Sequence, residues 1–60
     1  MYQVDNLEGF DDATTEEFSS LEAAYLCAVD RSYNDSPIGV WEKDSGELRA
    51  IVYQQEIFTP

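Results

Sequence analysis

Ser36-Pro37-Ile38-Gly39-Val40-Trp41-Glu42-Lys43-Asp44-Ser45-Gly46-Glu47-Leu48-Arg49-Ala50-Ile51-Val52-Tyr53 is the stretch whose reading decides the fold. Asp44-Ser45-Gly46 divides two runs rich in Val, Ile, Trp and Tyr, the residue types that suit a pleated surface. A hairpin follows. With Gly46 left-handed in a three-residue turn, Lys43 faces Glu47, Glu42 faces Leu48, Trp41 faces Arg49, Val40 faces Ala50 and Ile38 faces Val52. Because side chains alternate between the faces of a strand, this register sorts them into two sets. Ile38, Val40, Leu48, Ala50 and Val52 are apolar and belong to the core. Trp41, Arg49, Ile51 and Tyr53, with Gly39, Lys43 and Glu47, form the opposite face. That mixture of aromatic and charged groups reads either as a decorated outer face or as a contact surface through Trp41, Ile51 and Tyr53, since aromatics and Arg are enriched where proteins bind one another. Trp41 over Arg49 and Lys43 beside Glu47 are the pairs this register predicts.

Upstream of the hairpin, Ser19-x-x-Glu22 has the form of a capping box, and Phe18 before it has the place of a hydrophobic staple on Ala23. The helix these signals predict runs from about Ser20 to Ser32 or Tyr33, with Asn34 as a left-handed cap and Pro37 barring continuation. Leu21, Tyr25, Leu26, Val29 and Tyr33 share an arc that should pack on the sheet, flanked by Ala24 and Ala28. Ala23, Ala24, Cys27 and Ala28 read either as small residues that let the helix sit close or as a groove for another helix. Cys27 reads as a small hydrophobe and not as a nucleophile.

Tyr2-Gln3-Val4 alternates as a short first strand, and Asp5 to Glu17 reads as an acidic surface loop. After Tyr53 the chain either continues the strand or bends away, and because Ile57 and Phe58 cannot share one face of a strand, a kink or a terminal anchor is expected. The fold class is therefore α+β: one helix on a three-stranded, mostly antiparallel sheet in the order β-α-β-β, as a single domain over residues 1–60. Its length, capping signal and hairpin are similar to those of many small bacterial and phage proteins of that order, a likeness that names no family and assigns no residue.

Charge is the strongest feature of the composition. Thirteen acidic side chains face three cations, Arg31, Lys43 and Arg49, for a net charge of −10 on 60 residues. A chain this negative repels nucleic acid and anionic membranes and favours a protein partner with a basic surface. Asp5, Glu8, Asp11, Asp12, Glu16, Glu17 and Glu22 are the candidate acidic contacts, all in a first half without a cation before Arg31. Their spacing does not match a calcium loop, and no metal or cofactor is expected.

The chain has no histidine, which removes His-based triads and His-ligated zinc, and it has no phosphate loop or CxxC pair. A chain of this size buries only roughly 60% of its unfolded surface and rarely encloses a catalytic cleft. A non-enzymatic role is expected. The single cysteine and the lack of a basic-apolar leader fit a cytoplasmic setting. Three readings follow, in order: an acidic regulator or inhibitor resembling a nucleic-acid mimic; a structural or homodimeric accessory protein kept soluble by its charge; and an acidity that reflects only the host's proteome.

Overall fold

The computed structural model describes residues 1–9, 13–34 and 36–59. Among them are strands β1 (Tyr2–Asn6) and β2 (Glu16–Phe18), helix α1 (Leu21–Arg31), and strands β3 (Ile38–Glu42), β4 (Leu48–Tyr53) and β5 (Glu56–Phe58). The strands form one antiparallel sheet in the order β2-β1-β3-β4-β5. The α+β class, the single helix and the central hairpin are as the sequence predicts. The sheet has five strands where three were expected, because an edge strand was added at each side.

Both added strands are short and lack the signature of a buried strand. Glu16-Glu17-Phe18 carries two charges in three residues, a composition that edge strands tolerate because one side meets water. It lies in what the sequence predicts as loop, paired with Val4, Gln3 and Tyr2. At the far edge the segment after Tyr53, expected to kink or to act as a terminal anchor, turns back as a second hairpin. Gln54 and Gln55 make its two-residue turn with φ of 49° and 67°. A left-handed backbone costs a residue with a Cβ about 1–2 kcal/mol. The turn is held from outside: the Gln55 N–H donates to Ser32 Oγ at 3.0 Å, and that buried hydroxyl donates to the Val29 carbonyl at 2.7 Å.

The core is a single layer between α1 and one face of the sheet. Val4, Ile38, Val40, Ala50 and Val52 are buried from the sheet, and Ala24 and Ala28 from the helix. The two alanines lie at the centre of the contact, and Leu21, Tyr25 and Val29 pack around its margin. This corrects the helical arc read from the sequence. Leu26 and Tyr33 are 67% and 66% exposed, because a helix one methyl group away from a β-branched sheet leaves no depth for longer side chains between them. The cap is also one residue later than expected. Phe18 is held in β2, so Ser20 is the N-cap, its Oγ accepting from the Ala23 N–H at 3.4 Å, and Glu22 takes no part in a capping box. The helix passes at Ser32, still right-handed, into a 3-10 turn at Ser32–Asn34 in place of a left-handed cap.

The central hairpin departs from its predicted register in an informative way. The Glu42 N–H donates to the Glu47 carbonyl and the Gly46 N–H to the Glu42 carbonyl, both at 2.8 Å, so the turn has four residues, Lys43 to Gly46. Gly46 has φ +72°, the left-handed conformation expected of it. The extra turn residue shifts the pairing by one, putting Trp41 opposite Leu48, and a bulge at Arg49 restores Val40 opposite Ala50 and Ile38 opposite Val52. The apolar pairs beyond the turn thus override it, since a one-residue slip would send every core side chain to the wrong face.

On the face away from α1, Trp41 folds back along its own strand. A Cβ on Gly39 would stand 2.4–2.9 Å from the Trp41 indole ring, so the glycine is there to make room. Gly39→Ala should therefore displace the indole, lowering stability by about 1–3 kcal/mol. Denaturant unfolding followed by tryptophan fluorescence checks this, with a changed emission maximum in the native state as well as a lower midpoint.

Candidate functional site

Three places hold the residues singled out by charge and chemistry. The first is inside the molecule. Asp5 is completely buried, and its carboxylate accepts hydrogen bonds from Asn6, Thr14, Thr15 and Arg31. Oδ1 takes the Asn6 N–H at 2.8 Å, the Thr14 hydroxyl at 2.8 Å and Arg31 Nη2 at 3.1 Å, and Oδ2 takes the Thr15 hydroxyl at 3.0 Å. Arg31, the last residue of α1, also donates from Nη1 to the carbonyls of Val4 and Thr14 at 3.1 and 3.2 Å. This knot ties β1, the segment before β2 and the helix end together. Asp5 is thereby removed from the set of carboxylates offered to a partner.

The second place is a shallow open groove between β2 and α1. Phe18, Ala23, Leu26 and Cys27 provide its apolar lining, with Glu16, Glu17 and Asp30 as carboxylates. Ala23, Cys27 and Asp30 follow one another at helical spacing, which brings them to one side of α1. Cys27 donates its thiol proton to Glu16 Oε2. Burial, the hydrogen bond to Glu16 and the negative charge of Glu16 push the Cys27 thiol up from 9.0 to about 12, with Arg31 pulling weakly the other way. It is a protonated group at neutral pH, as the sequence reading of an unreactive cysteine requires. Glu17 lies on the opposite side of β2 from Glu16 and takes Lys43 Nζ on both oxygens, at 3.1 and 3.0 Å. Lys43 thus reaches across β1 to β2 instead of pairing with Glu47, and its backbone N–H donates to the Met1 carbonyl.

The third place is the sheet face without a described helix. Ile51 stands opposite Gly39 on one side and Phe58 on the other, which aligns Trp41, Ile51 and Phe58 across three strands. Tyr53 follows two residues along β4, 39% exposed. The bulge separates Arg49 from the position opposite Trp41, and its Nη1 lies 3.8 Å from Glu47 Oε1. The predicted stacking pair is therefore replaced by an indole on a glycine and a loose surface ion pair.

Of the predicted acidic contacts, Glu8, Glu16, Glu17 and Glu22 are exposed. Asp11 and Asp12 lie outside the described residues. The structure brings Glu16 and Glu17 together on β2, adds Asp30, and sets Glu22 in the first turn of α1. Asp30 and Phe58 were missed. The spacing of Ala23, Cys27 and Asp30 was the available signal for one, and for the other there was none until the second hairpin was known. Among the described residues no three His, Cys, Asp or Glu side chains are grouped as a metal site requires, and no helix is long and apolar enough to cross a membrane.

Comparison with protein-family models, with curated proteins and with solved structures gives no match to this chain.

Because its thiol is held far above the ordinary value, Cys27 should react with iodoacetamide at pH 8 about tenfold or more slower than a free thiol. Its rate should still be rising at pH 10, where an unshifted thiol has levelled off. Glu16→Gln removes the negative charge beside the thiol, so it should lower the pKa and speed alkylation at pH 8. Alkylation rates followed by mass spectrometry across pH check both.

Proposed function

We propose that this protein is a non-enzymatic regulator or inhibitor that docks its carboxylates on the basic surface of a partner protein, in the manner of a nucleic-acid mimic. One observation carries the reading. Each of the three cations is already committed to a carboxylate of its own chain: Arg31 to Asp5 at 3.1 Å, Lys43 to Glu17 at 3.0 Å and Arg49 to Glu47 at 3.8 Å. The chain has thirteen acids, so ten remain with no cation to balance them. A field of that density costs the folded chain self-repulsion, and a basic partner relieves it.

The reaction class this supports is binding alone. A rigid scaffold offers fixed carboxylates, and complementary potential speeds the encounter and suppresses wrong partners. The exposed strand β5 favours a second reading, a homodimer or accessory subunit, because Ile57 and Phe58 are 44% and 50% exposed on a sheet edge. Against it, two copies would bring together twice a charge of −10.

The immobilised protein, exposed to an extract of its host at low salt and eluted with a salt gradient, should retain a basic protein in stoichiometric amount. The association rate of that purified pair should fall about tenfold or more between roughly 0.05 and 0.3 M salt, as the Debye length shortens. A retained partner that binds equally fast at both concentrations would contradict the reading.

A further inference from the structure

The groove between β2 and α1 combines three features that independently suit one occupant. Strand β2 is the edge of the sheet, and no described strand takes its outer side, so its backbone is placed to pair with an added strand. The groove beside that edge changes character along its length. Phe18 and Ala23 lie toward the start of α1, Leu26 is 67% exposed beside them, and Glu16 with Asp30 lies toward the helix end. No cation lines it.

Glu16 and Phe18 are two residues apart on β2, so their side chains point to the same side, about 7 Å apart along the strand. An added strand has the same period. A side chain that meets the apolar end and one that meets the acidic end must therefore stand two positions apart on it, while the residue between them points to the opposite face.

We infer that this groove binds an extended segment of the partner protein as a sixth strand on β2. That segment carries an apolar residue and a basic residue two positions apart, both facing α1. The inference rests on the proposed basic partner and names the part of it that is recognised. The backbone of β2 supplies affinity without sequence preference, and the apolar-to-acidic gradient supplies the selectivity. Glu17, on the other face of β2, is already held by Lys43 and contributes less than Glu16 and Asp30.

The test uses the full chain labelled with ¹⁵N at low ionic strength. Two nonapeptides of Thr with Lys only at the two ends, more than two positions from Ile, are compared, one with Ile and Arg two positions apart and one with the same composition but Ile and Arg adjacent. The first should shift the amide signals of Glu16 to Phe18 and Ala23 to Asp30, and should bind about fivefold or more tighter than its isomer. Leu26→Ser, at an exposed position and without change of charge, should weaken it by about the same factor. Asp44→Lys, at the hairpin tip, should weaken both peptides by a smaller and equal factor. Equal affinity for the two isomers, shifts spread over all carboxylates, or no effect of Leu26→Ser would overturn the groove and leave the basic-partner reading standing. No binding of either peptide or of polylysine would overturn both.

Discussion

The buried pair of Asp5 and Arg31 is the constraint on which the rest of this small structure depends. A carboxylate with no exposed surface is stable only if its charge is balanced and its oxygens are bonded. Here one guanidinium, two hydroxyls and a backbone N–H do both. A domain of this length is expected to be stable by only about 3–9 kcal/mol. Removing one partner from a buried pair costs about 3–5 kcal/mol, so the knot is of the same order as the whole. Its position explains its weight: it closes the helix end and the segment before β2 onto the edge of β1, where β2 no longer pairs.

Once that corner is closed, the remaining architecture follows from shape. Ala24 and Ala28 bring the helix close to Val4, Val40, Ala50 and Val52. The close approach excludes Leu26 from the core and leaves the margin of the helix beside β2 open. The same tightness leaves the second sheet face to Trp41, Ile51 and Phe58, with the indole lying on Gly39. What the molecule exposes is thus a consequence of how little it can bury. Two edges and the groove beside β2 remain, surrounded by acids that its three cations cannot balance.

How much of this was legible in the sequence depended on how strongly local pattern and tertiary packing agreed. The hairpin's apolar pairs were readable because a period of two admits one register, and they held even though the turn took an extra residue and Arg49 had to bulge. The helix was readable, but its buried face was not. Hydrophobicity favours Leu26 and Tyr33 over Ala24 and Ala28, whereas the spacing between layers favours the alanines. β2 was unreadable because Glu16-Glu17-Phe18 has no strand preference of its own and exists by pairing with β1. Asp5 was read as surface for a similar reason: nothing local reveals that Arg31, twenty-six residues on, will reach it. The acidic excess itself was legible, and Glu16 and Glu17 do stand exposed. Their alliance with Asp30 and an apolar groove needed the fold.

The most direct measurement of this account is native-state hydrogen exchange at one amide. The Asn6 N–H donates to Asp5 Oδ1 at 2.8 Å on the edge of β1 beyond β2, so its protection comes from the buried carboxylate and not from a neighbouring strand. If Asp5 and Arg31 lock that corner, Asn6 should open only with the whole molecule and exchange within about tenfold of the slowest amides of β3. An Asn6 amide that exchanges at close to the rate of an unstructured chain, while β3 remains protected, would contradict it.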